Sequence, residues 1–382
     1  MPFPASARIH SGELMTRSTP LHDRHTALGA SFTDFGGWSM PVRYTSDLAE
    51  HHAVRTAAGL FDISHMAEFD VTGTDAAAFL DHALAGRLSV MKVGKAKYSL
   101  LLTETGGVLD DVIVYRLADE HFLVISNAGN RDLVAPALAE RAASFTDLAV
   151  VDRTDDLSLL AVQGPNARAV LEATAGISAV EPALADLGYY AWSAASFDGV
   201  ELMILRTGYT GEDGFELLVP NAQAGALWDA VLAAGKPHGL VPAGLAARDT
   251  LRLEAGMPLH GHELSVDIRP AQAGMGRVVA VDKESFVGKE ALAAADADAP
   301  VLVGLVAEGR RAGRAGYAVL DAAGAAVGEI TSGALSPTLG HPIAMAFVAP
   351  ASAAVGTELF IDVRGTRIPA TVTAPPFYRR NE

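Results

Sequence analysis

The chain has 382 residues, of which 50% are hydrophobic and 19% charged, a composition typical of a globular protein with roughly two to three domains. Its formal charge of −16, with no cluster of Lys and Arg, argues against nucleic acid as a partner, since phosphate backbones are held mainly by clustered basic side chains. The absence of cysteine excludes disulfides, thiolate nucleophiles and zinc-thiolate sites.

The N-terminal residues 1–17 are polar and irregular and contain no apolar segment of the signal-peptide type. Because no apolar run approaches the roughly 18 residues that a membrane span needs, we expect no membrane association and a cytoplasmic location. Met15 is an alternative start of the chain, so residues 1–17 are left out of the fold prediction.

Capping residues and apolar periodicity predict six helices, at residues 46–58, 74–84, 130–143, 165–175, 221–234 and 244–256. Short turns join three strands, at 98–103, 108–116 and 121–126. This spacing predicts an antiparallel meander.

A second set of strands, at 157–164, 199–208 and 214–220, alternates with helices. This order favours split βαβ units with the helices on one face of a sheet. The composition changes at 293–300, where we expect a linker, and the short β-rich runs from residue 301 onward predict a closed or sandwiched all-β domain.

Two adjacent carboxylates, Asp110 and Asp111, lie in the stretch "GGVLDDVIVY", which otherwise resembles a buried strand. Successive side chains of a strand point to opposite faces, so we expect only one of the two to enter any given pocket. The other must face solvent, cap a turn or find a separate partner. The pair is therefore not expected to act as an acid/base dyad.

The glycine-rich stretch "RTGYTGEDGFEL" (206–217) has neither the P-loop nor the dinucleotide-binding pattern. Its glycines permit a tight loop that could present Tyr209 and Glu216 to a flat ring system. The alternative is an ordinary hairpin with an edge Tyr and a solvated Glu.

The predicted helix at 244–256 ends at Gly256 and places Arg248 and Arg252 four residues apart on one face. Two like charges at this spacing need an anionic partner nearby. Either Asp249 and Glu254 provide it as a surface network, or one guanidinium forks the carboxylate of a ligand. Downstream, "HGHE" contains His260 and His262, but no further ligand follows at a metal-binding spacing, so we expect no metal.

Taken together, the ordered motifs resemble the T-protein of the glycine cleavage system, the tetrahydrofolate-dependent aminomethyltransferase, from about Thr19 to the C-terminus. The similarity rests on eight stretches: "TPLHDRHTALGASFTDFGGWSMPV", "EHHAVRTAAGLFDISHM", "GGVLDDVIVY", "LLAVQGPNA", "RTGYTGEDGFEL", "GLAARDTLRLEAGMPLHG", "FVGKEAL" and "TSGALSPTLG".

The resemblance implies an α+β fold of three domains around a central folate site, with split βαβ and antiparallel-sheet domains and a C-terminal barrel-like all-β domain. The implied divisions are residues 18–58 with 155–272 as a discontinuous first domain, 59–154 as a second domain containing the meander, and 273–382 as linker and C-terminal domain. The implied partner is lipoylated H-protein, whose aminomethyl group yields ammonia, reduced lipoyl and methylene-tetrahydrofolate. No metal or redox cofactor is implied.

The resemblance also implies roles for single residues. Asp111 matches the catalytic aspartate beside the folate nitrogens, and Arg248 matches a residue that faces the glutamate tail. In "PPFYRR", Arg379 or its neighbour Arg380 is implied to reach the tail carboxylate, and Arg379 is the residue assigned. Four further residues match folate neighbours: Met66, Tyr98, Tyr209 and Glu216, the last two holding the pterin.

Two other functions are compatible with a fold of this type. One is another folate-dependent demethylase or methylene transferase, although the chain has no G-x-G-x-x-G motif and no length for a preceding flavin domain. The other is a folate-binding protein without transferase activity, which would lack the aspartate and the arginine helix. Both features are present in this sequence.

Overall fold

The computed structural model describes residues 16–294 and 297–380. The alternative start at Met15 and two positions of the predicted linker therefore lie outside the described residues. No helix within the described ranges is both long and apolar enough to cross a membrane. The cytoplasmic location stays a prediction.

The described residues form eight α-helices and twenty strands. The helices are α1 His22–Ala27, α2 Asp47–Thr56, α3 Ala76–Ala83, α4 Arg131–Ala142, α5 Ala167–Ala173, α6 Asn221–Gly235, α7 Leu245–Glu254 and α8 Lys289–Ala293. The strands are β1 Ser31–Phe35, β2 Trp38–Arg43, β3 Ala58–Asp62, β4 Ala67–Thr72, β5 Ala96–Leu102, β6 Val108–Ala118, β7 His121–Ser126, β8 Ala149–Asp152, β9 Leu157–Gln163, β10 Ile177–Glu181, β11 Trp192–Phe197, β12 Val200–Leu205, β13 Gly214–Pro220, β14 Leu240–Pro242, β15 Val301–Ala307, β16 Ala318–Leu320, β17 Ala326–Leu335, β18 Pro342–Val348, β19 Glu358–Val363 and β20 Thr366–Thr373.

All six predicted helices are confirmed, with ends that differ by a few residues at most. The difference is at the caps: the Ser46 side chain accepts a hydrogen bond from the Ala49 N–H, so Ser46 is the N-cap of α2 and its first helical residue is Asp47. The chain leaves α7 through Gly256, whose φ of +66° is the left-handed conformation that glycine favours at a helix C-terminus.

The first sheet has seven strands in the order β10-β11-β12-β13-β9-β3-β14. All its pairs are antiparallel except that of β14 with β3. Because β9 and β3 lie between β13 and β14, the segment β13-α6-β14 is a split βαβ unit. Helices α5 and α6 pack on one face of the sheet, where Trp228 and Val170 join the core around Phe215. Both features of the prediction are confirmed.

The second sheet has five strands in the order β5-β6-β7-β4-β8. Strands β5, β6 and β7 are consecutive, adjacent and antiparallel, which confirms the meander. Its outer face packs on α3 and α4 through a core that includes Phe79 and Leu138. After residue 301, strands β15 to β20 form a closed six-stranded barrel, which confirms an all-β C-terminal region.

The remaining faces of the two sheets meet in a shared apolar core. Phe61 and Leu205 of the first sheet contact the same core as Tyr115 and Ile125 of the second, and Leu251 of α7 joins it. This packing brings β6, β13 and α7, which carry Asp111, Glu216 and Arg248, to one region of the molecule.

Candidate active site

A cavity of about 310 Å³ lies between the two sheets and α7. Six of the seven predicted site residues line it: Met66, Tyr98, Asp111, Tyr209, Glu216 and Arg248. A second cavity of about 600 Å³ adjoins the first, since Phe35, Tyr209, Arg248 and Leu259 line both. The sequence therefore predicted a cluster of residues that the fold does bring together.

Strand alternation separates the two aspartates of β6. The Asp111 carboxylate lines the cavity, whereas Asp110 is fully buried and does not line it. The Tyr98 hydroxyl donates a 3.0 Å hydrogen bond to Asp111 Oδ2, and Asn127 Nδ2 donates a 2.8 Å bond to Asp111 Oδ1. Asp110 instead accepts bonds from the Asn127 N–H and from the side chains of Asn127 and Asn130. Asp110 thus shares Asn127 with Asp111 and has Asn130 as a separate partner, which is one of the expected alternatives.

The pKa of each aspartate is raised. Burial raises the pKa of Asp110, and the neighbouring Asp111 charge raises it further, against the hydrogen bonds from Asn127 and Asn130. Burial also raises the pKa of Asp111, and the Tyr98 and Asn127 bonds together with His260 partly offset it. Proton exchange at Asp111 is therefore brought closer to neutral pH than for an exposed aspartate.

The glycine-rich stretch joins the antiparallel strands β12 and β13 as a hairpin. Glu216, however, is a buried carboxylate in the wall of the cavity, so the alternative of a solvated Glu is wrong. Its Oε2 accepts a 2.6 Å hydrogen bond from the Thr207 hydroxyl, which in turn contacts the Tyr115 hydroxyl at 2.7 Å. Burial raises the pKa of Glu216, while the Thr207 bond and the Arg248 charge oppose that change. Oε1 has no hydrogen-bond partner among the described residues and Oε2 can accept a second bond, so both oxygens can accept from a ligand in the cavity.

The two arginines of α7 have different partners. Arg252 is buried and forms ion pairs with Asp249 at 2.7 Å and Glu263 at 3.1 Å. Arg248 lies with its guanidinium carbon 4.8 Å from the centre of the Tyr209 ring, and its buried Nη1 has no hydrogen-bond partner among the described residues. Arg252 is thus neutralised within the protein, whereas Arg248 is free to bind an anion in the cavity.

The predicted surface network of Asp249 and Glu254 forms only in part. Asp249 pairs with Arg252, but Glu254 is buried and pairs with Arg55 of α2 at 2.7 Å. Glu254 also accepts hydrogen bonds from Ser336 and Thr338, so it joins α7 to α2 and the barrel. It cannot balance the charge of Arg248.

The C-terminal arginines are outside the cavity. Arg379 is exposed and does not line either cavity. Arg380 lies 3.6 Å from Asp213, an ion pair at the surface. The assignment of Arg379 to the glutamate tail therefore has no support from its position and stays a prediction.

Several cavity residues carry no assignment from the sequence, among them Asn127, His65 and His260. His65 lies in the motif "FDISHM"; burial lowers its pKa to about 4, so its imidazole is neutral, and its Nδ1 has no partner among the described residues. For His260 the sequence indicates only a metal ligand or a surface or packing histidine. Asn127 follows β7 at a position that no local pattern indicates. The antiparallel register of β6 and β7 does indicate it, because Ile113 pairs with Ile125 and, two residues further along the pair, Asp111 is opposite Asn127.

The "HGHE" histidines contact other groups. His262 Nδ1 lies 2.8 Å from the Thr331 carbonyl oxygen, and His260 contacts Asn130 and the Val108 carbonyl. Across residues 16–294 and 297–380, no group of three or more His, Asp or Glu side chains is placed to hold a metal ion.

Comparison with known proteins gives one consistent result. Residues 21–283 match the GCVT N-terminal domain family, and residues 301–379 match the glycine cleavage T-protein C-terminal barrel domain family. The chain is 54% identical over 369 residues to an aminomethyltransferase of Saccharopolyspora erythraea, covering 96% of this chain and 99% of that protein. An aminomethyltransferase of Cutibacterium acnes is also 54% identical, over 370 residues, with 96% and 99% covered. The crystal structure of the glycine cleavage system aminomethyltransferase T from Bartonella henselae superposes with a TM-score of 0.87 at 37% identity, covering 95% of this chain and 98% of that one.

Proposed function

The chain belongs to the glycine cleavage T-protein family, and from this premise we propose which of its residues perform the transfer. The enzyme is an aminomethyltransferase with tetrahydrofolate as co-substrate. The observation that carries the assignment of residues is the meeting of one carboxylate, Asp111, with a buried Glu216 and an unpaired Arg248 in the wall of a single cavity.

Glu216 and the aromatic side chains of the cavity bind the pterin in this proposal. A pterin has an amide N–H and an amino group on one edge, and a carboxylate accepts two such donors together. Glu216 Oε2 already accepts from Thr207 and the nearby Arg248 charge favours the ionised form, so the carboxylate is held ready for both donors. Tyr98, Tyr209 and Met66 supply apolar surface for the ring.

Arg248 binds a carboxylate of the glutamate tail. Its position supports this role, since Arg248 lines both cavities and can contact a ligand that occupies them together. The larger cavity is also lined by Arg314, whose charge favours an anionic ligand portion there, whereas Arg252 in the same wall is already paired with Asp249. Burial lowers the pKa of Arg248 and the Glu216 charge raises it, so a bound carboxylate would restore the pairing that the guanidinium lacks.

Asp111 accepts a proton from the folate nitrogen that attacks the one-carbon unit. In the balanced reaction, two protons leave the folate nitrogens while the lipoyl sulfur and the departing ammonia each gain one. The ionised Asp111 carboxylate also stabilises the positive charge that develops as ammonia leaves. The Tyr98 and Asn127 hydrogen bonds orient both of its oxygens in the cavity.

Lipoylated H-protein is the proposed carrier of the aminomethyl group, as membership of the family leads one to expect. The net charge of −16 gives no general attraction to an acidic carrier, so a local basic area must make the contact. The surface arginines Arg379 and Arg380 are candidates for such an area, because both are exposed.

The domain division is part of the same proposal, namely 18–58 with 155–272, then 59–154, then 273–382. The seven-stranded sheet supports the discontinuous unit. Its strands β3 and β9 pair with each other, although the strands of the second sheet lie between them in the sequence. Since β3 covers Ala58–Asp62 and belongs to this sheet, we move the first of these boundaries from residue 58 to residue 62.

Ammonia release from aminomethylated H-protein in the presence of tetrahydrofolate tests the proposed roles. We expect Asp111→Asn to abolish most turnover while calorimetric titration shows retained folate binding. We expect Glu216→Ala and Arg248→Ala to weaken folate binding with the fold intact. Unchanged folate affinity in both of these variants would contradict the assignment of the binding residues.

A further inference from the structure

The amide of Asn127 joins the two adjacent aspartates of β6. Its Nδ2 lies 2.8 Å from Asp111 Oδ1, 2.9 Å from Asp110 Oδ1 and 3.2 Å from the Asp111 carbonyl oxygen. Three acceptors around one NH₂ group fix the orientation of the amide, since the reversed orientation would bring its oxygen against carboxylate oxygens. Asn127 is therefore a dedicated donor to this carboxylate pair.

Asp110 holds Asn127 in place. It is fully buried, and its Oδ2 accepts a 3.0 Å hydrogen bond from the Asn127 backbone N–H. The same carboxylate accepts a 2.6 Å bond from Asn130 Nδ2. Asp110 thus anchors both ends of the short turn after β7, and both the main chain and the side chain of Asn127 are tied to it.

A histidine closes the network at its far end. His260 Nε2 lies 3.1 Å from the Val108 carbonyl oxygen, which can only accept, so Nε2 carries the proton. His260 Nδ1 then accepts from Asn130 Nδ2 at 3.0 Å. These two contacts fix the direction of the hydrogen bonds that join His260 through Asn130, Asp110 and Asn127 to Asp111.

We propose that Asn127 is a positioning residue for the transfer, which orients the Asp111 carboxylate and offsets its repulsion with Asp110. This inference rests on the proposed function of Asp111. Without Asn127, Asp111 would keep one side-chain donor, Tyr98, and its carboxylate could rotate about that single bond. The role of the buried Asp110 is then to anchor Asn127, which explains why the chain keeps two adjacent acids in a strand.

The electrostatic consequence has a definite sign. The charged and titratable groups around Asp111 are Asp110 on the same strand, Tyr98 on β5, and Tyr190, Tyr209 and His260 from the loops. Hydrogen bonds from Asn127 favour the ionised form, so their loss raises the pKa of the pair. Because the ionised Asp111 is the active form, the acidic limb of the pH–rate profile must move to higher pH.

The test compares Asn127→Ala with Asn166→Ala, a matched control. Asn166 is also partly buried and donates from Nδ2, but to the His238 carbonyl oxygen outside the cavity. We expect Asn127→Ala to lower kcat about 10- to 100-fold, with the KM for tetrahydrofolate changed less than about threefold. We also expect its acidic limb to shift up by about one pH unit. Asn166→Ala should show neither effect.

The isosteric Asn127→Asp separates shape from hydrogen bonding. It fills the same space but replaces the donor with an acceptor, so we expect a loss of kcat at least as large as in Asn127→Ala. A kcat of Asn127→Asp equal to that of the wild type would contradict the role of the amide as a donor. If Asn127→Ala does not fold, Asn127→Ser carries the test, because its hydroxyl retains one donor; the expected directions are the same.

Two results would overturn the inference. One is a kcat and pH profile of Asn127→Ala equal to those of the wild type, and the other is a loss confined to the KM for tetrahydrofolate. Asp111→Asn distinguishes this failure from failure of the proposed function. If Asp111→Asn is inactive while Asn127→Ala resembles the wild type, only the positioning role is lost. If Asp111→Asn retains full turnover, the proposed function and the positioning role are both wrong.

Discussion

Replacing Glu216 with glutamine keeps the shape of a buried cavity side chain and removes its charge. In the wild type, Oε2 accepts a hydrogen bond from Thr207 at 2.6 Å, and no hydrogen bond joins Oε1 to another described residue. A pterin would place two N–H donors against this carboxylate, and an amide can accept at only one of its two terminal atoms. A hydrogen bond to a charged group contributes about 1.5 to 3 kcal/mol, so the dissociation constant for tetrahydrofolate should rise about 10- to 150-fold.

The pH dependence of folate affinity gives a second readout. Burial raises the pKa of Glu216, against the Thr207 bond and the Arg248 charge. Since only the ionised carboxylate accepts both donors, the affinity of the wild type should fall as the pH drops through this raised pKa. Glu216→Gln has no carboxyl group to titrate at this position, so its weaker affinity should lack that component.

Isothermal titration calorimetry with tetrahydrofolate measures both effects. Glu212→Gln is a suitable control, because Glu212 is a buried carboxylate of the same glycine-rich stretch that pairs with Arg55 at 2.9 Å and does not line the cavity. A dissociation constant of Glu216→Gln within about twofold of the wild type, in a protein with an unchanged melting temperature, would refute the pterin assignment.

Substitutions of the two arginines of α7 should have different effects. Arg248→Ala should weaken folate binding about 10-fold or more with little change in melting temperature. Arg252→Ala breaks a buried ion pair, so thermal unfolding should show a fold that is less stable by about 3 to 5 kcal/mol. Burial alone would raise the pKa of Glu254, but its hydrogen bonds and ion pairs lower that pKa to about 2. The Glu254 carboxylate should therefore stabilise the fold above the unfolded pKa of 4.5, and this contribution should be lost as the pH falls towards 2. Denaturation of Glu254→Gln should therefore show a deficit at pH 7 that narrows in acid; a constant deficit would contradict this. Association with H-protein should weaken with added salt and with Arg379→Ala plus Arg380→Ala, and a salt-insensitive association rate would count against a basic contact area.

Much of the fold could be predicted because local patterns determine it. The periodicity of α7, its closing Gly256 and the short turns of the meander are properties of neighbouring residues. The alternation of Asp110 and Asp111 likewise needs only the period of a strand, and the structure confirms that one of them enters the cavity.

The partners of the site residues could not be predicted, because they depend on tertiary packing. Identical spacing on one helix gave no reason to pair Arg252 with Glu263 and leave Arg248 unpaired. The place of Asn127 depends on the register of β6 against β7, which no local pattern in the sequence specifies. The neutral state of His65 results from burial, which the motif around it does not reveal.

Turnover measured against pH for the wild type, Asp111→Asn and Asp110→Asn tests the central claim most directly. Asp111→Asn keeps the shape of the side chain but cannot accept a proton, so kcat should fall about 100- to 10,000-fold with folate affinity largely retained. Asp110→Asn should cost less, because Asp110 does not line the cavity and acts on Asp111 through Asn127 and through its neighbouring charge. The acidic limb seen in the wild type should disappear from any residual activity of Asp111→Asn. Equal losses at the two positions, or a larger loss at Asp110, would contradict the assignment of Asp111 as the carboxylate that faces the reacting nitrogens.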